Sequence, residues 1–293
     1  MSLTARTNET DGVVLTYVRH AAPNFTEART VFKSLGFEIC DVVQNEISNK
    51  NATIRLLLNQ SFIEVTNSFE FLSKPDGVAV INALGFGVNN IEAGQGRLTL
   101  NGFHPLPLIT NTLKIKTSDK QKIELEHKVF RLKESDMPEA CTEFIEIAGE
   151  KPFFELQGYL HKNCINEINA VILCVEDPNE VVARYCWLTN QGSPKRLFDQ
   201  CWQIRLHQRC IVIFHKDEIN KLFKFLPEAK YPSIYGYSLI SKNLQKTHSF
   251  LLKAGWSPIR LTDELLFLSL PGSVGGNLFI SQDAATFPWH IRK

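Results

Sequence analysis

The sequence predicts an α+β protein of four strand-helix-strands units arranged as two pairs, each pair one domain. Three observations predict it. Asn24 precedes Gly36, Asn90 precedes Gly102 and Asn243 precedes Gly255, each by twelve positions. A short β-branched or apolar run stands before each of these stretches: Val13 to Val18, Ile81 to Val88 and Ile234 to Ile240. Finally, Leu58-Asn59-Gln60-Ser61-Phe62-Ile63 is echoed by Leu206-His207-Gln208-Arg209-Cys210-Ile211, 148 positions later, so the second half reads as a copy of the first. A motif that recurs at this scale signals stacked copies of one supersecondary unit.

The elements follow in order. The first strand, Val13 to Val18, leads into a helix of about three turns, because Asn24 can cap the free N–H groups of the first turn. Gly36 supplies the left-handed turn that ends the helix, and Phe37 begins the next strand. Further strands cover 51–66. The second unit repeats the scheme with Ile81 to Val88, Asn90 and Gly102-Phe103. The segment from Lys133 to Lys151 reads as a connection holding a short helix around Pro138 to Ile147. In the third unit Ile168 to Val175 is the strand, and a helix follows from Asp177-Pro178 through Val181, Val182, Tyr185 and Trp187 to Gly192, without the Asn-to-Gly distance. In the fourth, Ile234 to Ile240 leads to Asn243 and Ala254-Gly255-Trp256. The predicted boundaries are a disordered tail over 1–11, a first domain over 12–160 (units about 12–70 and 78–160) and a second over 161–293 (units about 165–218 and 232–284).

Composition limits the function. Of 293 residues, 44% are hydrophobic and 22% charged, the balance of a globular chain with a packed core. Lys plus Arg number 32 and Asp plus Glu 31, a net charge of +1, which offers no field for holding a nucleic acid by counterion release. No apolar run approaches the roughly 20 residues of a membrane-crossing helix. Seven cysteines without a C-x-x-C pair read as reduced, buried thiols. The first dozen residues lack the cationic start and apolar run of a secretory signal, so a cytoplasmic protein is expected. Gly85-Phe86-Gly87 and Gly94-Gln95-Gly96 lack the third spaced glycine of a dinucleotide site, and Gly272, Gly275 and Gly276 read as turn chemistry.

A strand, a helix closed by Leu35-Gly36-Phe37, then antiparallel strands resembles the module of the vicinal oxygen chelate superfamily, which includes glyoxalase I, extradiol dioxygenases and bleomycin-resistance proteins. The local matches are Ala22-Pro23-Asn24-Phe25, Leu84-Gly85-Phe86-Gly87-Val88-Asn89-Asn90-Ile91 and Val175-Glu176-Asp177-Pro178. Phe153-Phe154-Glu155 followed by His161-Lys162-Asn163 is similar to the junction between halves in a glyoxalase-like subgroup, from which Lys162 and Cys164 depart. The resemblance implies four βαβββ modules that form two paired, curled mixed β-sheet domains, each around a cleft, with the helices on the outside. It also implies a divalent metal there, held by His, Gln or Glu from the first and last strand of each module and acting as a Lewis acid on a substrate with adjacent oxygens.

Carried over, the first-strand positions are Tyr17 and Ala83 in the first pair, Ala170 and Gly236 in the second. The last-strand positions are Glu64 and Glu155, then Val212 and, to within one position, Ile280. None is histidine. Ala, Val, Gly and Ile offer a cation no side-chain donor, so the second pair is expected to hold no metal. Glu64 and Glu155 are the candidate catalytic and metal residues: ligands to one divalent ion, acid/base groups if burial raises a carboxyl pKa, or solvated and salt-bridged strand residues. Tyr17 either donates its hydroxyl to a ligand or is core. Arg19 shares its face and either holds a carboxylate ligand or pairs with Glu64. Trp202, alternating with Gln203 and Arg205, either lines a dry pocket or is core. His161 with Asn163 is expected to fix a loop, His207 and His215 to lie on strand surfaces, and Glu126-His127 to be solvated.

The expected function is a glyoxalase/bleomycin-resistance/dioxygenase-like protein that binds a small molecule in a sheet cleft without the usual His-containing metal site. The alternative is a metal-dependent lyase, isomerase or dioxygenase acting through Glu64 and Glu155. The expected partner is a small-molecule ligand, with no nucleic acid and no membrane, in a monomer or homodimer; the cofactor is either none or one divalent metal in the first domain.

Overall fold

Side-chain caps start the helices where the sequence places them. Asn24 accepts the Glu27 N–H and opens α1 (Phe25–Ser34); Asn90 accepts from Ala93 and opens α2 (Ile91–Leu100). Asp177 accepts from Asn179 and Glu180 at the head of α3 (Pro178–Thr189), where Pro178 fills the first helical turn. Asn243 accepts from Lys246 ahead of α5 (Leu244–Lys253). Gly36, Gly102 and Gly255 then turn the chain at φ values of 90°, 85° and 86°, which side chains disfavour. In the third unit Asn190, at φ 57°, takes the left-handed position, which is why the spacing slips there and why Gly192 is not the stop.

The computed structural model describes residues 12–44, 52–68, 78–116, 122–149, 160–222, 227 and 232–289. The strands of the first half are β1 (Val14–Ala21), β2 (Cys40–Gln44), β3 (Thr53–Leu58), β4 (Ser61–Thr66), β5 (Val80–Val88), β6 (Ile109–Lys116), β7 (Lys122–Arg131) and β8 (Cys141–Glu146). They close into a barrel of order β1-β4-β3-β2-β6-β7-β8-β5. Each unit lays its last strand parallel to its first, β4 along β1 and β8 along β5. The two units meet where β1 runs antiparallel to β5 and where β2 pairs with β6.

The second half repeats the connectivity with β9 (Ile165–Val175), β10 (Lys195–Phe198), β11 (Cys201–Leu206), β12 (Arg209–His215), β13 (Ser233–Ser241), β14 (Ile259–Thr262), β15 (Leu265–Ser269) and β16 (Asn277–Ser281), and it adds α4 (Lys216–Leu222). Its order is β10-β11-β12-β9-β13-β16-β15-β14, an open sheet with β10 and β14 at its edges. The fold is therefore the α+β arrangement of paired curled sheets that the repeats and the family resemblance predict.

One element differs from the sequence reading. The stretch assigned to a short helix around Pro138 to Ile147 contains β8, because Cys141–Glu146 pairs with both β5 and β7 and the ladder outweighs local helix preference. The last strand of the second unit thus lies upstream of Phe153–Leu156, which is outside the described residues, as is the expected tail over 1–11.

Four side chains bind the halves together, mainly through backbone oxygens. Arg209 donates to Leu15 O (3.0 Å), Asn59 O (2.6 Å) and Ile168 O (3.0 Å). His20, fully buried on β1, lies 3.0 Å from the Tyr237 hydroxyl and 3.2 Å from Val274 O. His161 accepts the Glu38 N–H and contacts Leu57 O at 2.6 Å, while Asn163 donates to Leu35 O, so this junction pair fixes backbone as expected. The largest apolar core runs between the helices and the outer sheet faces of both halves. None of the described helices is long and apolar enough to cross a membrane.

Candidate functional site

Strand alternation points Tyr17 and Arg19 of β1, Arg55 of β3, Glu64 of β4, Arg131 of β7 and Glu143 of β8 into the first barrel. The register sets Glu64 directly opposite Arg19 and Glu143 opposite Gly85. Arg19 occupies the middle. Its Nε donates to Glu64 Oε1 at 2.6 Å, and Nη1 and Nη2 donate to the two oxygens of Glu143 at 2.7 and 2.5 Å. The far oxygen of Glu64 accepts from Arg55 Nε at 2.9 Å, and Glu143 Oε1 also accepts from Arg131 Nε at 2.5 Å. The Tyr17 hydroxyl donates to Glu143 Oε2.

Packing fixes this network in place. The Tyr17 ring stacks on Phe62 with centroids 4.7 Å apart, and the Arg55 guanidinium lies 4.2 Å over the other ring of that pair, Phe62. A Cβ at Gly85 would fall within the Tyr17 ring, so only glycine there lets the aromatic lie flat across β5. Below the charges the interior is apolar: Cys40, Val42, Leu57, Leu113, Leu125, Val129 and Ile145.

The electrostatics follow from burial opposed by close charge. Burial alone would raise the carboxyl pKa of Glu64, but Arg19 and Arg55 outweigh it and hold the group below the ordinary range. Glu143 is held lower still: burial is outweighed by Arg19 and Arg131 together with the hydrogen bonds it accepts. Burial and the neighbouring Glu143 push the Tyr17 hydroxyl well above its usual value, so it remains protonated. Cys141, beside Glu143, is pushed up to about 12 by burial first and by that carboxylate second, which leaves it a poor nucleophile. Both carboxylates are therefore ionised and fully engaged, which disfavours them as proton donors or acceptors near neutral pH.

Of the sequence candidates, the structure brings Tyr17, Arg19 and Glu64 together. Glu155 lies outside the described residues. Trp202 is elsewhere: it packs partly buried against the outer core of the second half, and its N–H donates to Asn179 on α3. Val212 points into the second interior as expected, but the inward residue of β16 is Phe279, with Ile280 in the outer core. His127 is buried rather than solvated, because it shares the inward face of Leu125 and Val129; Glu126 is exposed beside it. Arg55, Arg131 and Glu143 were not singled out in the sequence. The signal for Glu143 is obscured by two rival Phe-x-Glu runs, Phe144-Ile145-Glu146 and Phe153-Phe154-Glu155, which imitate Phe62-Ile63-Glu64. Glu146 in fact faces outward, toward Lys128 and the head of α2.

The metal implied by the family resemblance does not fit these residues. The two carboxylates are bridged by a guanidinium in hydrogen-bond contact with both; Arg55 takes the remaining oxygen of Glu64, and Arg131 shares Glu143 Oε1 with Arg19. Among the described residues no group of three or more His, Cys, Asp or Glu side chains converges as a cation would require.

No family model and no curated protein matches the chain. Solved structures do. A hypothetical protein from Staphylococcus aureus is similar over 92% of this chain and 99% of that one, at 10% identity and a TM-score of 0.61. A mutant of 4-hydroxymandelate synthase from Streptomyces coelicolor is similar over 94% and 95%, at 11% identity and 0.60. A variant of homoprotocatechuate 2,3-dioxygenase from B. fuscum is similar over 94% and 72%, at 10% identity and 0.53. At these identities the likeness shows a shared fold and no more.

Proposed function

We propose that this chain is a small-molecule binding protein, and that its first-barrel site recognises a ligand through guanidinium groups rather than through a chelated cation. The observation that carries the reading is the position of Arg19 between Glu64 and Glu143, where Arg19, Arg55 and Arg131 set three guanidinium charges against two carboxylates. Arg19 and Arg131 keep 12% and 22% of their side-chain surface exposed, so this part of the network reaches solvent while Glu143, at 2%, does not. A ligand with a carboxylate or similar oxyanion suits guanidinium N–H edges at that opening, since planar forks of donors match such groups. Tyr17, locked by Phe62 and Glu143, then positions Arg19.

The test is a thermal-shift screen of small aliphatic and aromatic carboxylates, run with and without EDTA. A true ligand raises the melting temperature as its concentration passes Kd, equally in both series, and Arg131→Gln weakens the effect. Stabilisation that appears only with a divalent ion and disappears with chelator would overturn the reading in favour of a metal-dependent enzyme of the same fold.

A further inference from the structure

A second concavity lies well away from the barrel network, where the two halves abut. It has a volume of about 710 Å³ and is walled by the end of α2 and the following turn from the first half, by the 135–138 connection, and by α3 from the second half. Two large apolar side chains stand exposed at its rims: Leu100, at 89%, and Trp187, at 51%. The walls are tied to each other. Arg97 on α2 donates to Trp187 O and Leu188 O on α3, both at 3.0 Å. Arg184 on α3 reaches back to Asp136 O at 2.9 Å and to both oxygens of buried Glu139 at 3.0 and 2.6 Å. The groove is thus preformed by bonds that cross between the halves.

Its charged groups are unequal in what they still offer. Every guanidinium nitrogen of Arg184 already donates, to Glu180, Glu139 or Asp136 O. The carboxylates retain acceptor capacity, since each has about four lone-pair positions. Glu180 uses two contacts on Arg184 and remains 57% exposed; Asp136 accepts from the His104 backbone N–H and lies 2.9 Å from its ring nitrogen. A half-exposed indole beside carboxylates with open acceptor positions favours a cation carrying an apolar body, through ring-face attraction as well as hydrogen bonding. We propose that this groove is a binding site for a small organic ammonium ion with an aromatic or aliphatic body. The ammonium is held by Glu180, and the body lies between Trp187 and Leu100.

Isothermal titration of the full chain with 2-phenylethylammonium tests the site, with 3-phenylpropionate as the charge-reversed control. The expected result is a dissociation constant at or below about 1 mM for the amine and at least about tenfold weaker binding of the carboxylate. Trp187→Ala and Glu180→Gln, both at exposed positions that the fold tolerates, should each weaken amine binding by about tenfold. Absence of amine binding, equal binding of amine and carboxylate, or Trp187→Ala without effect would each overturn the proposal.

Discussion

The two halves have the same connectivity and opposite interiors. In the first, β2 and β6 pair and close a barrel around three arginines, two glutamates and a tyrosine. In the second, β10 and β14 remain at the edges of an open sheet whose concave face is mostly hydrocarbon and thiol, Ala170, Ile172, Cys210, Val212, Phe214 and Phe279 among others, with the buried Gln203 amide donating to Cys210. There Phe287 and Trp289, after a 3-10 turn at Ala284–Thr286, stack at 5.2 Å, and Trp289 meets Phe279 edge-on at 5.4 Å. Val212 stands where Glu64 stands in the first half, and Ile172 where Arg19 stands, as the parallel registers show. The fold thus constrains which positions face inward and leaves their chemistry open. A charged interior persists only as a complete set of partners, whereas an apolar one needs only volume.

The sharpest way to break this comparison is to remove one member of the charged set. Arg19→Ala leaves Glu64 and Glu143 buried without their shared partner and should cost about 3–5 kcal/mol in urea unfolding. Adding Glu64→Gln should deepen that loss, because Arg55, paired with Glu64 and 2% exposed, then loses its carboxylate as well. In the hydrocarbon half, Phe279→Ala should cost a similar amount, about 3–5 kcal/mol, through a cavity beside Tyr235, Phe267 and Trp289. Its cost should not change with salt or with pH between 5 and 8, whereas equal sensitivity in both variants would erase the distinction.

The junction gives the next effect. Burial lowers the imidazole pKa of both His20 and His161 to about 4, against partial opposition from the carbonyl contacts each makes. The folded values lie below the ordinary value of about 6.5, so the unfolded chain binds more protons between those limits. Stability is therefore full above about pH 6.5 and falls as the pH drops toward 4, by on the order of 2 kcal/mol per imidazole at pH 5. Urea midpoints at pH 7 and pH 5 measure this, and a flat profile would refute the neutral assignment. Glu64 and Glu143, held low, lose their contribution only at more acid pH. The smallest effect concerns the thiols: burial pushes Cys174 and Cys210 up to about 12, so iodoacetamide at pH 8 should leave both unmodified in the folded chain.

Much of the architecture was legible because caps and stops are local. Asn24, Asn90 and Asn243 with their glycines mark three helices to the residue, and Asp177-Pro178 marks a fourth; the strands before them carry their own apolar runs. The strand at Cys141–Glu146 was not legible, since its pairing with β5 is a contact across more than fifty residues and nothing local distinguishes it from a helical turn. The site was half visible for the same reason. Tyr17, Arg19 and Glu64 lie on strands whose alternation can be read directly, while Glu143, Arg55 and Arg131 join them only through register.

Capping, turn chemistry and apolar runs are properties of short stretches, so the four repeated units and the inward strand positions of Tyr17, Arg19 and Glu64 can be read from residue order alone. Only the tertiary structure decided that Arg19 lies between two carboxylates, that one half closes while the other stays open, and that a groove forms between α2 and α3. Each of these depends on which distant strands and helices share an edge or a face, and that is set by the simultaneous burial of the whole core.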